Sequence, residues 1–241
     1  MTDAIEATKT EPAGLINTAV NILLSPGEAF TELQQRPSKL FPLALIVLST
    51  MAVMFWYFSI VDFDWYIDDA LAGANLDGEQ LEAAREQMAS MSQTTFKMIG
   101  VFGGAIGIMV LYVLQAGYLS LASALTGSGQ KFSDWYSLVL WTGLPYMLSV
   151  VGMVATILLS PNGQLSAYAL DPLTLANLGM QSSNGSLTTI FNGISLPMIW
   201  GIALTVMGYR QWLDCSLVKA MAVVLAPYLL ILGVWAYFAF S

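Results

Sequence analysis

Eight carboxylates crowd one stretch of this chain: Asp62, Asp64, Asp68, Asp69, Asp77, Glu79, Glu82 and Glu86 fall within residues 62–96, opposed there by Arg85 alone. So many oxygens invite a divalent-cation site, since calcium gathers about six to eight oxygen ligands around one point. Convergence of that kind needs a loop spacing such as D-x-D-x-D-G. Here Asp62-Phe63-Asp64 and Asp68-Asp69 are parted by Trp65, Tyr66 and Ile67, and no glycine turn follows at the required place. The spacing favours a solvated acidic face, and no metal site is expected.

Other chemistry is equally short of parts. The chain has no histidine and a single cysteine, Cys215. Histidine-dependent triads, Cys/His zinc sites and an internal disulfide are therefore excluded. No G-x-S-x-G elbow or H-E-x-x-H pair is present. Cys215 is favoured as a plain small residue over a palmitoylation site. The polar groups within apolar stretches are Gln115, Thr142, Ser149, Thr156, Ser195 and Thr205. An ion-coupled carrier generally places a carboxylate, lysine or histidine there. A carrier of a small neutral solute stays open, provided that Gln115, Tyr118, Thr142, Tyr146 and Ser149 line one cavity. No catalytic residue and no cofactor site are expected.

The elements that must position these groups follow from composition. Of 241 residues 56% are hydrophobic and only 10% charged, with a mean hydropathy of +0.67. A soluble domain carries about 25% charged residues to wet its surface, so lipid is the expected solvent. Charges are absent from 40–61, 98–130, 135–170, 172–209 and 220–241. Ionisable groups are costly in the hydrocarbon core, and about 20 residues of helix cross its ~30 Å. The expected fold is all-α: a polytopic membrane bundle of about five spans at 41–60, 98–121, 135–159, 187–207 and 217–238, together a domain over 39–241. The acidic segment 62–96 forms a loop with a helix capped by Asp77. Segment 160–186 is charge-poor, and an external loop is favoured there over a re-entrant element.

Ahead of the first span, residues 1–13 read as a disordered tail and 14–38 as two short amphipathic helices at the membrane surface, with a linker folded against the bundle as the alternative. Ser25-Pro26-Gly27-Glu28 reads as the start of the second helix, with Ser25 as cap and Glu28 completing a capping box. Gly100 with Gly104, and Gly103 with Gly107, make overlapping G-x-x-x-G pairs that let helices approach closely. Packing inside the monomer is favoured over self-association, which leaves a homo-oligomer open. Pro145, Pro197 and Pro227 fall inside spans and are expected to kink them.

Lys9, Arg36, Lys39, Lys131, Arg210 and Lys219 lie on one side of this topology, and only Arg85 and Lys97 on the other. The positive-inside rule puts the N-terminus in the cytoplasm, the C-terminus across the membrane, and the acidic loop outside. The net charge of -8 argues against nucleic acid as a partner.

Four stretches carry a resemblance: Ile22–Pro42 (ILLSPGEAFTELQQRPSKLFP), Asp77–Met91 (DGEQLEAAREQMASM), Tyr136–Leu148 (YSLVLWTGLPYML) and Ile199–Leu230 with Gly208 ahead of Ser216-Leu217-Val218-Lys219-Ala220. With them the chain resembles the Ypt/Rab-interacting membrane proteins (the Yip domain family), in their bacterial branch, over about residues 15–240. The resemblance implies five spans, an internal N-terminus and a bacterial inner membrane, hence a periplasmic C-terminus. Eukaryotic members are associated with Rab-type GTPases and vesicle traffic, but their acidic-Leu-Tyr-Gly-Pro motif before the first span is absent here. That partnership is therefore not carried over. The expected function is a non-enzymatic scaffold, adaptor or membrane-organising factor, with the bilayer and unidentified proteins as partners. The alternative is the channel or carrier for a small neutral solute.

Overall fold

The computed structural model describes residues 14–72, 76–160, 162–180, 182 and 184–240; the expected disordered tail, 1–13, lies outside them. The first long helix, α3 (Leu40–Ile60), is 21 residues without a charge, or about 31 Å of rise. α1 (Leu15–Leu24) and α2 (Pro26–Gln35) precede it. After it come α4 (Phe63–Ala72), α5 (Gly78–Ala89) and α6 (Gln93–Ala124). α6 runs antiparallel to α3. A Cβ on Gly100 would lie 2.7 Å from the Phe58 ring, so glycine is what lets the two helices meet there.

The third expected span breaks in the middle. α7 (Phe132–Thr142) gives way to a 3₁₀ turn at Leu144–Tyr146, and α8 (Met147–Leu159) continues beyond it. Pro145 has no N–H to offer and its ring would crowd the carbonyl four residues back. The ladder tightens instead, with the Tyr146 N–H donating to the Gly143 carbonyl. Gly143 is also where the Tyr112 hydroxyl presses against the chain, leaving no room for a side chain.

The expected span at 187–207 needs correction. It divides into α9 (Gly185–Gly193) and α10 (Leu196–Leu213), with Ser195 extended between them. Pro197 therefore stands in the first turn of α10, where a missing N–H breaks no bond, and it kinks nothing. The Ser195 hydroxyl accepts from the Met198 N–H, and the Leu196 N–H donates to the Leu173 carbonyl. α11 (Leu217–Phe240) closes the chain with Pro227 inside it. Four stretches are long and apolar enough to cross a membrane: α3, α6, α7–α8 taken together and Leu217–Tyr237 of α11. α10 packs among them with 18 residues and a polar last turn.

Residues 162–180, after α8, pack against the bundle through a few apolar side chains. Of these, Leu165 and Leu170 are buried among Val53, Tyr57, Val150, Met153 and Ile157. The Tyr57 hydroxyl donates to the Leu165 carbonyl at 2.8 Å. Pro172 lies so close to Gly152 that a Cβ there would meet it at 2.9 Å. Gly152 is about 10 Å of helix below the end of α8. Pro172 thus lies beside the middle of α8, and the stretch leading to α9 is tied to it by the Leu175 N–H donating to the Ile194 carbonyl and the Ala176 N–H donating to the Phe191 carbonyl.

Gly163 locks this arrangement. Its φ is +68, its carbonyl accepts from the Asp62 N–H at 2.9 Å, and a Cβ would lie 2.7 Å from the Ile60 carbonyl oxygen. Gly163→Ala is expected to cost about 1–3 kcal/mol from strain in the left-handed region alone. Protection of the Asp62 amide from hydrogen exchange should fall sharply in the variant, and unaltered protection would refute the lock.

Candidate interaction site at the N-terminal helices

α1 and α2 are built into the end of the bundle that holds Lys39, Lys131, Arg210 and Lys219, called the basic end below. Ser25 ends one helix and begins the other. Its N–H donates to the Asn21 carbonyl, and its φ of -140 with ψ of 59 is not the extended geometry of a capping residue. The expected Ser25 side-chain cap is therefore absent, and Pro26 supplies the helix start by its fixed φ. From α2, Ala29, Phe30 and Leu33 are buried, as is Ile22 from α1. They join Trp135, Leu138, Trp141, Tyr209 and Trp212 in one cluster.

Buried indole N–H groups need acceptors; Ser123 Oγ supplies that of Trp135, and the N-terminal segment supplies two others. Trp212 Nε1 donates to the Phe30 carbonyl and Trp141 Nε1 to the Ser38 carbonyl. Ser137 Oγ donates to that same Ser38 carbonyl, and Gln211 Nε2 to the Gly27 carbonyl. Sequence reasoning missed these contacts. Their signal was the two tryptophans, 141 and 212, whose indole N–H groups needed partners.

The other face of α1 is bare. Ile16 and Leu24 are 72% and 77% exposed, and Leu15 and Val20 are exposed beside them. On that helix only Thr18 and Ile22 are buried, and the Thr18 hydroxyl donates to Glu32 of α2.

The polar groups of the spans are dispersed among helix contacts. Gln115 Nε2 donates to the Tyr228 hydroxyl, and the Tyr118 hydroxyl donates to the Val223 carbonyl, both between α6 and α11. The Thr142 and Thr205 hydroxyls share a 2.9 Å hydrogen bond between α7 and α10. Thr156 Oγ1 donates to the Gly152 carbonyl within α8. Ser149 Oγ is buried with no protein partner.

The glycines divide in the same way. Gly100 and Gly201 sit at close contacts, whereas Gly103, Gly104 and Gly107 face open space.

At the opposite end, α4 and α5 pair as a hairpin, with Asp77 capping α5 through the Gln80 N–H. α4 was not read from the sequence, since Asp64, Asp68 and Asp69 interrupt its apolar spacing. Between the two helices lies a pocket of about 140 Å³ lined by Asp68, Leu71, Ala72, Leu81, Glu82 and Arg85. Arg85 pairs with Asp68 at 2.9 Å, both about half exposed, so the pair contributes little. Burial, then the nearby Asp69 carboxylate, raises the Tyr66 phenol above its ordinary 10.0 and keeps it neutral. Among the described residues no group of three or more His, Cys, Asp or Glu could hold a metal ion.

The family model of the Yip1 domain matches residues 20–238. No curated protein and no solved structure matches the chain.

Proposed function

The chain belongs to the Yip1 domain family, and from that premise we propose that it is a non-enzymatic scaffold or adaptor that organises protein partners or the bilayer itself. It is an integral membrane protein with several membrane-crossing helices. In this reading it sits in a bacterial inner membrane, the N-terminus and the basic end cytoplasmic, the acidic hairpin and C-terminus periplasmic. Lys9, Arg36, Lys39, Lys131, Arg210 and Lys219 on one side support that orientation.

The observation that carries the scaffold reading is the rigid seating of α1 and α2 on the bundle by Phe30, Trp141 and Trp212. A helix pair held that firmly presents a fixed surface, which lowers the entropic cost of binding. The hydrogen bonds at Gln115, Tyr118 and Thr142 join helices rather than line a common path, which weighs against a carrier. The carrier retains one supporting observation, the unpartnered Ser149 hydroxyl just past the break in the third span.

Crosslinking in native membranes followed by mass spectrometry tests the choice. Recurrent partners joined through residues 14–39 are expected. A chain without protein neighbours that passes a neutral solute across liposomes would instead establish the carrier.

A further inference from the structure

α1 carries no charged residue: its ten positions read LINTAVNILL. An interfacial helix binds through buried apolar area plus attraction to anionic lipid. With no charge on α1, only the first contribution is available.

Depth says what covers its bare face. The Ser38 carbonyl accepts from both Ser137 and Trp141, so the start of α3, at Leu40, lies level with that part of α7. α3 has no charge from Leu40 onward, so this level is where the apolar slab begins. α1 packs against α7 and against the 3₁₀ turn at Leu144–Tyr146, further along the same path. It is thus held at the margin of the slab and not out in water. Just past that turn α8 itself exposes Leu148 and Val151, as a lipid-facing stretch at that level would.

We propose that α1 is a charge-free wedge seated in the headgroup–acyl boundary of the leaflet at the basic end, so that the protein favours membrane whose leaflet at that end is loosely packed or convex. The inference rests on the membrane-organising reading above and names the lipid surface as the partner of α1. Ten residues of helix are about 15 Å long and 10–12 Å across, so the wedge adds on the order of 150 Å² to one leaflet. At the acidic end α4 and α5 carry eight charged side chains, Asp64, Asp68, Asp69, Glu79, Glu82, Arg85 and Glu86 with the capping Asp77, too many to sink in and balance it.

The test uses the full chain with Cys215→Ser and Ile16→Cys, labelled with an environment-sensitive fluorophore and reconstituted in uncharged phosphatidylcholine vesicles. Quenching by lipids bearing a shallow spin label, protection from aqueous iodide and indifference to salt are expected. Iodide quenching without lipid quenching overturns the proposal, as does lipid quenching that appears only with anionic lipid. The second measurement is protein density on small against large vesicles, for chains whose basic end is proteolytically accessible from outside. Several-fold enrichment on small vesicles is expected, reduced to parity by Ile16→Gln with Leu24→Gln, which change exposed positions only. Equal density for the unsubstituted chain also overturns the proposal. A seated α1 in a protein that crosslinks to no partner removes the adaptor and leaves this inference standing. Partners found with α1 in water do the reverse.

Discussion

Phe30→Ala is expected to release both N-terminal helices from the bundle without preventing the long helices from inserting. Phe30 is fully buried, a Cβ on Gly208 would come within 3.3 Å of its ring, and its own carbonyl holds the Trp212 indole. Truncating a buried phenylalanine costs about 3–5 kcal/mol, and no other buried side chain of α2 is as large. Without that anchor, α1 and α2 keep Ile22, Ala29 and Leu33, which offer less area than the ordering of twenty residues demands. In mild detergent, protease should cut within residues 24–39 of the variant and spare the same bonds in the parent. Equal resistance would mean that contacts other than the Phe30 anchor hold the pair. The same packing rules out removing residues 1–36 as a clean probe of partners, because Leu138, Gly208 and Trp212 would lose their cover. Substitutions on the exposed face of α1 probe the surface and leave the core whole.

The long helices were legible because a single term dominates them: charges are absent over 40–61, 98–130 and 220–241, and the bilayer fixes the length required. The break at Pro145 was legible for a comparably local reason, the missing N–H. Pro197 was misread because the same residue type starts helices as readily as it breaks them. Which it does here depends on Ser195, whose hydroxyl accepts from the Met198 N–H, and on the Leu173 carbonyl, which accepts from the Leu196 N–H across 23 residues of chain. The packing of 162–180 against the bundle was hidden likewise. It is fixed by Pro172 against Gly152 and by Tyr57 reaching Leu165, contacts between distant residues that leave no periodic trace. At the candidate site, the amphipathic character of α1 could be read, whereas the side on which its apolar residues find protein could not. Ile22 goes into the core and Ile16 into the open, although both are isoleucines on one ten-residue helix.

The glycines make the same distinction testable, and Gly201→Ala carries the second large effect. A Cβ on Gly201 would lie 2.8 Å from the Thr142 carbonyl oxygen, which is backbone and has no rotamer to yield. α7 and α10 must move apart to admit it, and the Thr142–Thr205 hydrogen bond, 2.9 Å long, lies at that crossing. Overpacking of this kind costs about 1–3 kcal/mol, and in lipid there is no hydrophobic pressure to push the helices back together. Gly100→Ala meets the Phe58 ring, a side chain able to turn, so a smaller loss is expected. Gly103→Ala and Gly107→Ala meet nothing within 4 Å. There the helix propensity of alanine over glycine, up to about 1 kcal/mol, should show as no change or a gain. Unfolding the four variants in mixed detergent micelles should rank them Gly201, Gly100, then Gly103 and Gly107 together at or above the parent. A loss at Gly103 or Gly107 that grows with protein concentration would place a second copy of the chain on that face of α6, since nothing within the monomer stands in the way of the added methyl.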